Sequence, residues 1–226
     1  PGARQLGDGS SVPGGPSAVS SDGRFVAFES LASNLVPGDT HGVGDVFVRH
    51  VVTGAIERVS VDSSGGEADG RSGQASISAD GRYVAFESLA TNLTAEVTDD
   101  SSDVFVHDRT TGVTSRVSID TAGTHPGGHS FSPSISADGQ LVAFHTWVDL
   151  VASDTNGTAD VYVRNRTAST TTRVSVDDSG AEGNDASEQP AISADGRYVA
   201  FRSWADNLVT GDTNGFGDFF VHDRDT

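Results

Sequence analysis

The chain contains no cysteine and no methionine, and lysine is missing too, so all 14 of its basic residues are arginine. Without thiols, disulfide staples and thiolate metal sites are excluded. The basic side chains are outweighed by 32 Asp and Glu, which leaves a net charge of -18. Binding to a phosphate backbone needs clustered Lys and Arg to release counterions, so nucleic acid is not expected as a partner. No apolar run approaches the roughly 18 residues that cross a bilayer, so no transmembrane segment is expected, and no signal-peptide pattern opens at Pro1. The acidity suits solubility, calcium binding or a salty extracellular medium.

What the chain does have is a repeat. Asp212-Thr-Asn-Gly-Phe-Gly-Asp218 runs into the apolar Phe219-Phe220-Val221. Asp154-Thr-Asn-Gly-Thr-Ala-Asp160 runs into Val161-Tyr162-Val163, and Asp39-Thr-His-Gly-Val-Gly-Asp45 into Val46-Phe47-Val48. A degenerate copy ends at Asp103 before Val104-Phe105-Val106. The closing aspartates stand 58, 57 and 58 residues apart, and a fixed period of that size marks a repeat architecture.

Each copy reads as four short antiparallel strands. In the second, Ser76-Ile77-Ser78 is followed by an Asp80-Gly81 turn, then Arg82 to Phe86, Val104 to Asp108, a Thr111-Gly112 hairpin, and Thr114 to Asp120. Both parities of Tyr83-Val84-Ala85-Phe86 are apolar, as a sheet covered on two faces requires, whereas the fourth strand alternates and carries Ser, Thr and Arg, which suits an outer edge. Such sheets packed face to face around an axis make an all-β propeller. We expect one domain over 1–226, with blades near 17–62, 75–120, 133–177 and 190–226. The last copy lacks the Arg-Val-Ser strand found at Arg58, Arg116 and Arg173. Three alternatives stay open: residues 3–8 supply that strand and close the ring, the chain belongs to a longer propeller, or a neighbouring chain donates the strand.

Ser-x-Asp-Gly-Arg-x-Val-Ala-Phe, then Asp-x-Asn-Gly-x-x-Asp-Val-Phe-Val-x-Asp-Arg, then Thr-x-Arg-Val-Ser, together resemble the repeats of TolB-like β-propeller proteins, from about Ser17 to Arg224. The resemblance implies a secreted, periplasmic or envelope-facing protein whose loops bind something, commonly another protein. It fixes the fold more than the function.

The Asp-x-Asn-Gly-x-x-Asp loops offer hard oxygen ligands of the kind Ca²⁺ takes. Asp212, Asn214 and Asp218 form one candidate site, Asp154, Asn156 and Asp160 a second, and Asp39 with Asp45 a weaker third, because His41 replaces the amide. In the second repeat the loop has Val97 and Asp100 at the positions of the first aspartate and the glycine, with Asp99 and Asp103 retained, and tight binding is not expected. The alternative is that these residues only make a turn. Acidic residues after the fourth strand, Asp62, Glu67 and Asp69 and then Asp177, Asp178, Glu182 and Asp185, read as solvated loop. His125 and His129 occur once, in a loop, with no third metal ligand in view.

After each Val-Ala-Phe strand stand Glu29, Glu87, His145 and Arg202, with Trp147 and Trp204 two positions on in the last two copies. Equivalent positions gather on one rim of a propeller, so these six form a candidate binding surface, the alternative for the tryptophans being packing between blades. No Gly-x-Ser-x-Gly elbow is present, and His107-Asp108 and His222-Asp223 are strand neighbours that point to opposite faces. We therefore expect no enzyme but a binding or assembly scaffold, stabilised by Ca²⁺, with another protein or a second copy as partner. The alternatives are a carbohydrate-binding propeller using Trp147 and Trp204, and a hydrolase or lyase with His145, Glu29, Glu87 and Arg202 in the central channel.

Overall fold

A computed structural model of the chain describes residues 7–13, 18–95 and 100–226, and among these every regular element is a strand. The first blade comprises β1 (Ser11–Pro13), β2 (Phe25–Ser30), β3 (Asp45–His50) and β4 (Ile56–Arg58), paired antiparallel in that order. The second repeats it with β5 (Ser72–Ile77), β6 (Tyr83–Ser88), β7 (Asp103–Asp108) and β8 (Val113–Arg116). The third has β9 (Ser130–Ile135), β10 (Leu141–Thr146), β11 (Asp160–Asn165) and β12 (Thr170–Arg173). The fourth has three strands, β13 (Ser187–Ile192), β14 (Tyr198–Ser203) and β15 (Asp218–Asp223).

The first strand of each blade begins earlier than its hydrophobic pattern suggests. In β5 the run Ser72-Gly73-Gln74 is polar and small, so no alternation announces it. The pairing slips here by a bulge in β5, β9 and β13, where Gln74, Ser132 and Gln189 take φ of 50°, 53° and 55°. Bulges of this kind bend and twist a strand.

Turn chemistry links the blades. The Asp138 carboxylate accepts the Ser136 hydroxyl (2.6 Å) and the Gln140 amide (2.9 Å), folding a tight turn with Gly139 at φ +72°. A Cβ on Gly139 would lie 2.1 Å from Cδ2 of Tyr83, so the bare backbone seats an aromatic ring of the preceding blade. The turn tips are joined in series: Ser21 N donates to Ala79 O, Ala79 N to Ala137 O, and Ala137 N to Ala194 O. Ser76 and Ser134 hydroxyls accept the Ile135 and Ile192 amides of the next blade, both at 3.1 Å.

Three apolar cores lie between successive blades. Val46 and Val48 meet Phe86 and Phe105, Val104 and Val106 meet Phe144 and Tyr162, and Val161 and Val163 meet Phe201 and Phe220. This is why both parities of the third strand are apolar. On the last blade the corresponding face is open: Phe219 is 76% and Val221 67% exposed, where Val46 and Val48 are 0% and 1%.

Of the segment 3–8 considered for the missing strand, residues 3–6 lie outside the described residues. Asp8 accepts the Ser33 amide (2.8 Å) and hydroxyl (2.9 Å), as Asp69 accepts those of Thr91 (both 2.6 Å). Gly7 and Asp8 therefore hold the connector position ahead of β1, in the first blade.

Candidate functional site: loop carboxylates and the axial rim

The Asp-x-Asn-Gly-x-x-Asp loops join the second and third strands, and the structure brings their carboxylates together around an arginine. In the third blade Arg173 Nη1 lies 3.3 Å from Asp154, 3.8 Å from Asp160 and 2.7 Å from Glu182. Arg58 repeats this in the first, at 3.7 Å from Asp39, 3.5 Å from Asp45 and 2.8 Å from Glu67. In the second blade Arg116 Nε stands 3.5 Å from Asp103. Residues 96–99 of that loop, Val97 and Asp99 among them, lie outside the described residues. The Arg-Val-Ser strand thus supplies more than an edge. Its serine also donates to the closing aspartate, Ser60 to Asp45, Ser118 to Asp103 and Ser175 to Asp160.

Glu67 and Glu182, read from sequence as solvated, are clamps. Glu182 accepts the Thr155 amide (2.9 Å) and hydroxyl, and Glu67 accepts the Thr40 amide and hydroxyl, both at 2.8 Å. The Thr155 hydroxyl and amide, with Arg173, hold the Glu182 carboxyl down to about 2. Burial works to raise Glu67, but hydrogen bonds from Thr40 and His41 and the charge of Arg58 outweigh it and leave it at about 2. Asp160 goes the other way: burial pushes it up to about 6, against the Ser175 and Asn156 hydrogen bonds. The signal that could have exposed these clamps is the recurrence of Arg and Glu nine residues apart, at 58 and 67 and at 173 and 182.

Three carboxylate oxygens of Asp39, Asp45 and Glu67 lie within 4.8 Å of one another, the kind of cluster that suggests a cation. A calcium ion wants about six to eight oxygens. Here a guanidinium stands among the carboxylates. Asn156 also turns its nitrogen inward, donating to Asp160 (2.9 Å) and to Gly183 O (2.8 Å), while its oxygen accepts the Thr158 amide. Asn214 does the same with Asp218 (2.8 Å) and the Phe216 amide, and His41 Nδ1 meets Ala68 O at 3.0 Å where Asn156 meets Gly183 O. As arranged, the residues of the first and third loops fit an arginine that calcium would have to displace, whereas Asp212 and Asp218 have no ion pair among the described residues.

At the end of the second strands, the six rim residues enter separate contacts. Glu29 accepts both Nε (3.1 Å) and Nη2 (2.7 Å) of Arg71, and Glu87 accepts the Ser132 amide at 3.2 Å, with burial raising its carboxyl. His145 is buried between Phe131 and Trp147, ring centroids 5.7 and 5.9 Å away, and burial brings its imidazole down to about 4. Trp147 rests edge-on against Phe131 and stays 51% exposed. Arg202 lies 4.2 Å over the Trp204 ring. A cavity of about 140 Å³ opens beside Glu87, lined also by Arg71, His129 and Phe131.

Other histidines separate. His125 Nδ1 lies 3.5 Å from Asp103, while His129 accepts the Ser102 amide and stacks on Phe131. Asp108 binds Arg82 through two hydrogen bonds (2.9 and 2.7 Å), and its neighbour His107 meets Thr114 instead.

Antiparallel sheets packed in series, with their loops gathered at a rim, define a β-propeller, and its fold is TolB-like. Among solved structures the chain is similar to TolB from Acinetobacter baumannii at 15% identity and a TM-score of 0.56, over 96% of this chain and 42% of that one. It is also similar to an oligogalacturonate lyase in complex with manganese, at 11% identity and 0.58, over 96% and 52%. A third likeness, to prolyl endopeptidases, has 14% identity and 0.53, over 96% and 28%. The chain spans about half the TolB and lyase structures and less of the peptidase. No protein-family model matches the sequence, and no curated protein does. The expectation that the chain is not an enzyme does not stand, because a lyase and peptidases share this fold and the fold carries no exclusion of catalysis.

Proposed function

We propose that this chain is a binding propeller that works outside the cytoplasm, in a secreted or envelope setting, and holds another protein at its axial rim. The observation that carries the reading is Trp147, 51% exposed and propped by Phe131 and His145 beside the Glu87 cavity. A rigid, half-exposed aromatic propped by neighbouring rings has the composition of a protein-contact centre. A solvent-facing ring of this kind adds little to the core, so its support by neighbouring rings favours contact over packing.

Both tryptophans of the chain stand on this rim, so intrinsic fluorescence reports its occupancy directly. Peptide and glycan arrays are probed with the wild type and with Trp147→Ala. Peptide binding that shifts tryptophan emission and is lost in the variant supports the reading. Binding to glycans alone would move the surface to the carbohydrate class, and silence on both arrays would sink it.

A further inference from the structure

The arginine of the second blade is held differently from its two counterparts. In the first and third blades Arg58 and Arg173 each meet three carboxylates, and each also donates to a loop carbonyl, Arg58 Nη2 to Gly38 O (3.1 Å) and Arg173 Nη2 to Ser153 O (2.9 Å). Among the described residues Arg116 meets one carboxylate, that of Asp103 at 3.5 Å. The sequence accounts for the difference. Six residues before the closing aspartate, Val97 stands where the other two blades have Asp39 and Asp154, and nine residues after the arginine, His125 stands where they have Glu67 and Glu182.

The guanidinium is nonetheless buried. The Arg116 side chain is 3% exposed, and among the described residues none of its three nitrogens, Nε, Nη1 and Nη2, has a hydrogen-bond partner. Such a charge has left water without recovering the bonds that water supplied, which is unfavourable until an acceptor reaches it. Thr94 Oγ1 is likewise buried without a partner among the described residues. Thr94 lies six residues past Ser88, and the same step from Ser30 and Ser203 in the first and last blades reaches Val36 and Val209, so this hydroxyl belongs to the second blade.

Both groups line one cavity of about 790 Å³ between the outer sides of the first and second blades, together with Ser64, Ser115 and His125. That volume is in the range of small-molecule sites. Asp62 lines it too, but its Oδ1 is turned to the Ser64 and Gly66 amides of its own loop (2.7 and 2.8 Å). His125, with Nδ1 3.3 Å from Ser118 O and 3.5 Å from Asp103, brings no negative charge.

We propose that this cavity is a second binding site, apart from the rim, for a small organic carboxylate. The ligand supplies from outside the negative charge that Asp39 and Glu67, or Asp154 and Glu182, supply from within the other blades. The class follows from the repeat, since the group that meets this arginine in both of those blades is a carboxylate, and the planar fork of a guanidinium can donate to two carboxylate oxygens at once. The bound carboxylate accepts from Arg116 and from the Thr94 hydroxyl, and its carbon chain lies beside Ile119 in the cavity wall.

The test titrates the whole protein with sodium succinate in a calorimeter, with sodium chloride and sodium phosphate at matched ionic strength as comparisons. The expected result is saturable succinate binding that chloride does not reproduce and phosphate reproduces only weakly. Thr94→Val, which installs the residue of the first and last blades, is expected to fold and to bind succinate about tenfold more weakly. His125→Glu, which rebuilds the clamp of the first and third blades, is expected to raise the melting temperature without ligand and to abolish binding. No saturable binding by the wild type, or unchanged binding by both variants, overturns the proposal, and phosphate binding as tight as that of succinate overturns the carboxylate class. Binding that appears only after Glu96→Gln and Asp99→Asn are introduced gives the arginine to acids of the chain itself and also overturns it.

Discussion

Arg173 donates to Glu182 at 2.7 Å across nine residues, and in doing so pins the end of one strand to the loop that precedes another. Asp154 and Asp160 approach the same Nη1 at 3.3 and 3.8 Å, and the arginine side chain is 4% exposed. Removing one partner of such a cluster strands the others without their countercharge. Arg173→Ala is therefore expected to cost about 3–5 kcal/mol in urea unfolding. Adding Asp160→Asn to that variant should restore part of the loss, because it removes one uncompensated carboxylate. Equal stability of the two variants would show that the charges are not what the arginine holds.

Because a guanidinium already stands where a cation would sit in the first and third loops, chelation should leave those two loops unmoved. The melting temperature of an Asp218→Asn variant, which disables the arginine-free fourth loop, is expected to be the same in EDTA and in millimolar CaCl₂. A ligand bound only by the folded state would raise it in proportion to RT ln(1 + [L]/Kd), and such a rise would show that calcium does displace Arg58 or Arg173.

His145 and Asp160 give opposite dependences on pH. His145 titrates at about 4 in the folded chain because burial disfavours its charge. Between about 6.5 and 4 the unfolded chain binds the proton and the folded one does not, so this histidine loses stability as pH falls. Asp160, pushed up to about 6 by burial, keeps its proton when folded and not when unfolded, so it loses stability as pH rises through that range. His145→Phe removes only the first effect. Relative to wild type, the variant should gain about 2–3 kcal/mol on going from pH 7 to pH 4.5 in denaturant titrations.

Two glycines with nearly the same backbone angle separate strain from packing. Gly157→Ala, at φ +67° with nothing within 4 Å of the new carbon, should cost about 1–2 kcal/mol. Gly139→Ala, at φ +72° against the Tyr83 ring, should cost about 2–4 kcal/mol. Unfolding midpoints for the pair check this, and equal losses would mean that the ring moves aside freely.

The blade was legible in the sequence because its signals are local. Asp138-Gly139 is a turn by its own side-chain hydrogen bonds, and Val104-Phe105-Val106 must be covered on both sides whatever covers it. The loop residues Asp154 and Asp160 are visible in the sequence as a pair of acids. Their partner is not, because Arg173 comes from a strand ten or more residues away and a cation-binding loop and an arginine-binding loop have the same spelling. The polar strand β5 was blurred for a related reason, since the bulge at Gln74 breaks the alternation that marks a strand.

Period, turn chemistry and strand count were thus set by the chain itself, through contacts that span a few residues and cost nothing to read. Only the tertiary structure decided which charge faces which, and that His145 is buried beside a half-exposed Trp147. Those outcomes depend on what neighbouring blades bring to the same point in space, and burial and countercharge are properties of that meeting rather than of any segment.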